Sequence, residues 1–85
     1  MENNHREKIK DSILEFKKRK IDYIDLMNNL YGNIKALDNL DQSVENALIN
    51  LSGEMETIYY MQAPEYHYKY MIDEISKFEP YIDKI

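Results

Sequence analysis

Residues 42–61 read QSVENALINLSGEMETIYYM, with Val44, Leu48, Leu51, Met55 and Ile58 at alternating intervals of four and three and Tyr59 alongside. At about 100° per residue these side chains fall within a narrow arc, the pattern of an amphipathic α-helix. A half-buried strand would alternate apolar and polar residues instead. The chain of 85 residues has only two glycines and two prolines. An all-β chain needs a turn every few residues, so that supply is too small for one.

Three further segments carry the same period. The first runs from about Asn4 to Lys18, with Ile9, Ile13 and Phe16 in one stripe and Leu14 beside it. The run Lys17-Lys18-Arg19-Lys20 closes it, and cations suit the negative end of a helix dipole. The second opens at Asp22, a good N-cap, and stripes Tyr23, Leu26, Met27, Leu30, Ile34 and Leu37. Gly32 lies opposite that stripe and weakens a helix by about 1 kcal/mol relative to alanine, so fraying or a bend is expected at Tyr31-Gly32-Asn33. The stretch LDNLD, 37–41, reads as a short turn, with Asp41 placed to cap the third helix.

The third helix is expected to end at Gln62-Ala63-Pro64, because the residue before proline avoids the α region. Pro64 then suits the first turn of a fourth helix, expected over about Pro64–Phe78 with Tyr68, Met71, Ile75 and Phe78 inward. Lys69–Asp73 and Asp73–Lys77 are expected as i,i+4 pairs on its outer face. Pro80 is expected to end or kink it, and Tyr81, Ile82 and Ile85 are apolar enough for the tail to pack back. Short connections favour antiparallel neighbours, so the expected fold is all-α: a small antiparallel four-helix bundle, residues 1–85 forming a single domain.

Several kinds of chemistry lack their residues. There is no cysteine, hence no disulfide framework or thiolate metal site, which fits a cytoplasmic location. No apolar run approaches the roughly 18 residues of a membrane-spanning helix, and MENNHREKIK has no apolar core of a signal peptide. Glycine-rich phosphate loops and nucleophile elbows are missing, and His5 and His67 do not supply the Glu-x-x-His motifs on two helices that a di-metal bundle needs. The expectation is a non-enzyme with no catalytic residues, no cofactor and no metal. His67 falls on the core flank of the fourth segment, where a half-buried, hydrogen-bonded histidine is the ordinary outcome.

Charge is placed unevenly. Residues 1–20 carry seven basic and four acidic residues, whereas 21–85 carry four lysines against twelve acids. From Asp38 to Glu65 there are six acids and no base. Such a body repels phosphates, so no direct contact with nucleic acid is expected, and it attracts and steers a basic protein.

Five of the eight tyrosines lie in YYMQAPEYHYKY, 59–70. Helical phase sorts Tyr59 and Tyr68 inward, and Tyr60, Tyr66 and Tyr70 to the surface or rim. On the third segment Glu45, Ile49, Ser52, Glu56 and Tyr60 share one face away from the core stripe. An aromatic anchor, an apolar centre and a charged rim have the make-up of a binding interface. The same phase also lets Ile49 and Tyr60 face a neighbouring helix across a wide seam. The candidate partner-binding residues are therefore Asp38, Asp41, Glu45, Ile49, Glu56, Tyr60, Tyr66 and Tyr70.

The layout of IKDSILEFKKRKIDYIDLMNNLYGNIKALDNLDQSVENALINLSGEME resembles colicin D-type immunity proteins and those of contact-dependent growth inhibition systems. A short amphipathic helix, a basic turn, a second helix with DYIDLM, an acidic turn and a third helix recur there in that order. The likeness covers about residues 9–58. It implies a small acidic helical bundle that binds a basic nuclease toxin domain, often an RNase acting on transfer RNA, and blocks its active site. A monomer, or a 1:1 complex with the toxin, follows from that reading. Two other uses fit the residues themselves. One is a helical module or small phage or host regulator that homodimerises or binds another protein; the other sets the basic N-terminal helix on nucleic acid or an anionic membrane.

Overall fold

A computed structural model describes residues 2–85. Four α-helices account for most of them: α1 (Glu2–Lys17), α2 (Tyr23–Ile34), α3 (Gln42–Met61) and α4 (Pro64–Ile82). No strand occurs among the described residues, in line with the all-α expectation. No described helix is long and apolar enough to cross a membrane. The chain divides into two compact units, one ending at Asp41 and the other running from Gln42 to Ile85.

The first unit is a hairpin of α1 and α2. Its turn is built from the basic run. Arg19 adopts a left-handed conformation (φ 61°), the Lys20 N–H donates to the Glu15 carbonyl at 2.8 Å and the Arg19 N–H to Phe16 at 2.9 Å. These two bonds form a Schellman C-cap with arginine where glycine is usual. Three residues later the Asp22 carboxylate accepts from the Asp25 N–H at 2.8 Å and caps α2. The Phe16 and Tyr23 rings meet edge to face beside the turn, with centroids 5.9 Å apart. At the far end His5 Nδ1–H donates to Asn33 Oδ1 at 2.7 Å, and the Arg6 guanidinium reaches the Asp38 carbonyl. Contacts at both ends make the pair antiparallel. Ile9, Ile13, Phe16, Tyr23, Leu26 and Leu30 are buried. Gly32 does not interrupt α2, which continues to Ile34. It sits in the last turn, where one poor helix former is tolerated.

The second unit pairs α3 with α4. Ala63 is extended (φ −65°, ψ 149°), as the residue before proline must be, and Pro64 opens α4. Val44, Leu48, Leu51, Met55 and Ile58 of α3 are buried, as are His67, Met71, Ile75 and Phe78 of α4. Each buried aliphatic side chain contributes roughly 1.5–3 kcal/mol relative to exposure. Pro80 neither ends nor breaks α4, which runs through it to Ile82. Its missing N–H forfeits one bond, to the Ser76 carbonyl, near a C-terminus where little helix remains to be lost. The tail then folds in: Ile85 is buried, and Tyr81 stacks on Phe78 at 6.0 Å.

Candidate partner-binding face

The break between α3 and α4 organises the tyrosines. His67, not Tyr68, continues the buried line of α4; it is 6 % exposed, and Tyr68 is only half-buried. The His67 Nε2–H donates to the Gln62 carbonyl at 2.9 Å, satisfying a group just past the end of α3. The imidazole lies 5.7 Å from the Tyr59 ring. Tyr59 in turn meets Tyr60 edge to face at 5.1 Å. Tyr59 is therefore a partly exposed support at 36 % rather than the core residue its phase suggested. Its angle sets it at the edge of the stripe, where a ring this large reaches solvent. The buried histidine, the supporting tyrosine and the outer tyrosine form one chain of ring contacts that reaches from the core to Tyr60 at the surface.

Tyr60 is 73 % exposed and Ile49 58 %, so α4 covers neither. Glu45 and Glu56 are exposed on the same side of α3. Ser52 departs from the expected face: it is half-buried and its Oγ is fully buried with no hydrogen-bond partner. Among the face's residues it has the helical angle nearest the core margin, next to Leu48. Tyr66 and Tyr70 are exposed on α4, at 50 % and 40 %. Asp38 and Asp41 are exposed too, but they belong to the first unit, Asp38 in the turn after α2. Glu45, Ile49, Glu56, Tyr60, Tyr66 and Tyr70 belong to the second unit.

Two residues escaped the sequence reading. Met61, at 74 % exposure, adds apolar surface beside Tyr60. Gly53 lies between Ile49 and Glu56 on α3, in a shallow depression lined by Gly53, Glu56, Thr57, Tyr60 and Met61. The helical period placed Gly53 there, but a residue without a side chain gives no signal in a hydrophobic stripe.

A groove runs between α3 and α4, past Glu54, Thr57, Met61, Tyr70 and Lys77. Lys77 Nζ sits 3.0 Å from Glu74 Oε2, one turn back on α4, in place of the expected pair with Asp73. That hydrogen bond, reinforced by the charge of Glu74, raises the Lys77 pKa. Among the described residues no group of three or more His, Cys, Asp or Glu is placed to hold a metal ion. The exposed surface offers an aromatic and aliphatic anchor framed by carboxylates, which suits recognition of a cationic surface.

No protein family, curated protein or solved structure matches this chain.

Proposed function

We propose that this chain is an immunity protein, an antitoxin that binds a basic nuclease toxin domain, an RNase, and occludes its active site. The observation that carries the reading is the outer face of α3, where Tyr60 and Ile49 stand exposed between Glu45 and Glu56. Within the same unit, residues 42–65 carry four acids, Glu45, Glu54, Glu56 and Glu65, and no base. A nuclease must hold phosphates in a cationic cleft, so a surface of carboxylates competes for the same lysines and arginines. Carboxylates steer the encounter, and the desolvated tyrosine and isoleucine hold the complex. The protein would act in the cytoplasm as a 1:1 complex.

A second reading has Tyr60, Met61, Tyr66 and Tyr70 join two copies of the chain, since all four are exposed apolar groups. A two-fold contact sets the same patch against itself. Acids would then oppose acids, which favours a basic partner over self-association. The test is affinity capture from the source cells, followed by a nuclease assay on the captured protein. The proposal expects a basic protein whose RNase activity is lost on adding an equimolar amount of this chain. A captured partner without nuclease activity, or full activity at excess, rejects the antitoxin role. A stable dimer that captures nothing supports the second reading.

A further inference from the structure

Gly53 is the twelfth residue of the twenty in α3, a position where glycine weakens a helix. The usual reasons for glycine are missing. Its φ is not positive, and a Cβ built on it meets nothing within 4 Å. Gly32 is as open, but it sits in the last turn of α2, where glycine matters less. No described residue fills the space a Cβ would take at Gly53, and the residue lines the depression together with Glu56, Thr57, Tyr60 and Met61. Glu56 and Thr57 stand one turn above it, Ile49 one turn below and Tyr60 two turns above. Along the axis Glu56 is about 4.5 Å from Gly53, and Tyr60 about 10.5 Å. The Thr57 hydroxyl is turned onto the Gly53 carbonyl at 3.0 Å, so its proton is already engaged.

We infer that this notch receives an arginine side chain of the basic partner. The inference rests on the proposed binding face and names the group that face takes. The aliphatic stem lies on the bare backbone at Gly53, between Ile49 and Met61. The guanidinium reaches the Glu56 carboxylate, with the Tyr60 ring beside it. Charge complementarity selects a cation, because the charged residue lining the depression is the carboxylate Glu56. Arginine fits better than lysine because its planar head pairs with a carboxylate through two hydrogen bonds and stacks on an aromatic ring. A β-carbon at position 53 would lift the stem off the helix.

The test titrates the full ¹⁵N-labelled chain with acetyl-Gly-Arg-Gly-amide and with the lysine counterpart. Saturable shifts are expected at the amides of Gly53, Glu56, Thr57 and Tyr60, with arginine binding about five-fold tighter than lysine. Gly53→Ala should raise the melting midpoint by about 4–8 °C, since alanine favours the helix and meets no neighbour. The same variant should weaken arginine binding about ten-fold, and Glu56→Gln should do likewise without the gain in stability. Shifts confined to other residues, an equal response to lysine, or unchanged arginine binding by Gly53→Ala would overturn the assignment. With the captured partner the two proposals separate. If Tyr60→Ala weakens the complex and Gly53→Ala does not, the notch falls and the face stands. If neither does, the face falls.

Discussion

Replacing His67 with alanine removes a hydrogen bond and ring packing, which the structure makes separable. One is the hydrogen bond from Nε2–H to the Gln62 carbonyl, at 2.9 Å. Breaking such a bond and leaving its partner unsatisfied costs about 1–3 kcal/mol, and the half-buried Gln62 sets the loss toward the lower end because water can reach it. The other is the ring packing of a residue only 6 % exposed, including its contact with Tyr59. An aromatic pair contributes about 0.5–1.5 kcal/mol beyond its buried area. Together they predict a loss of about 2–4 kcal/mol for His67→Ala, a fall in the melting midpoint of roughly 10–25 °C. His67→Phe keeps a ring and loses the hydrogen bond to Gln62, so it should be destabilised by about 1–2 kcal/mol. Thermal unfolding followed by circular dichroism, at one fixed pH, reads both. A His67→Ala variant within about 0.5 kcal/mol of the parent would refute the core role, because only surface substitutions are that mild. A His67→Phe variant as stable as the parent would show that the bond to Gln62 contributes nothing.

Two other expectations concern the first unit. Arg19→Gly relieves a left-handed residue at the helix C-cap (φ 61°) and should stabilise the chain by about 0.5–1 kcal/mol, read as a higher melting midpoint; a decrease would contradict the strain argument. Burial, aided by the nearby Tyr31 phenol, pushes the Tyr23 pKa well above the ordinary tyrosine range. Its stabilising effect is therefore full below about pH 10, where the unfolded phenol begins to ionise, and is lost as pH rises above that. Melting midpoints from pH 8 to pH 12 should fall more steeply for the parent than for Tyr23→Phe, and parallel curves would rule the effect out.

Local signals were legible where one residue decides the outcome. Asp22 caps α2 and Pro64 opens α4 because each acts on its own turn of backbone. The exposure of Tyr66 and Tyr70 also followed from phase, since each lies well off the buried stripe of α4, whereas phase left Ile49 and Tyr60 either exposed or facing a neighbouring helix. Phase failed at the margins. Tyr59 and Tyr68 read as inward because phase sets both at the edge of the buried stripe, yet His67 takes the buried position on α4. A carbonyl left over at the end of α3 gives that histidine a partner, and no hydropathy pattern encodes it. Pro80 and Gly32 read as helix breakers because propensity is counted residue by residue; near a helix end each disturbs little, and tertiary packing overrides it. Lys77 chose Glu74 over Asp73, a matter of side-chain rotamers rather than spacing. Nor does sequence mark the division after Asp41, because the five residues of LDNLD look like any short turn. Asp38 and Asp41 were therefore grouped with α3 acids that belong to the other unit.

The claim that the outer face of α3 binds a basic partner is tested most directly on Tyr60→Ala, with stability and affinity measured on the same preparation. Tyr60 is 73 % exposed, so its removal leaves no cavity and the melting midpoint should stay within about 2 °C of the parent. The dissociation constant for the captured partner should rise about 30-fold or more, a loss of about 2 kcal/mol, as at an aromatic hot spot. Adding Glu45→Lys and Glu56→Lys should weaken binding further by setting like charges against a basic cleft. Intact affinity, or a melting midpoint lowered as by a core deletion, would contradict the account and return the tyrosine to packing.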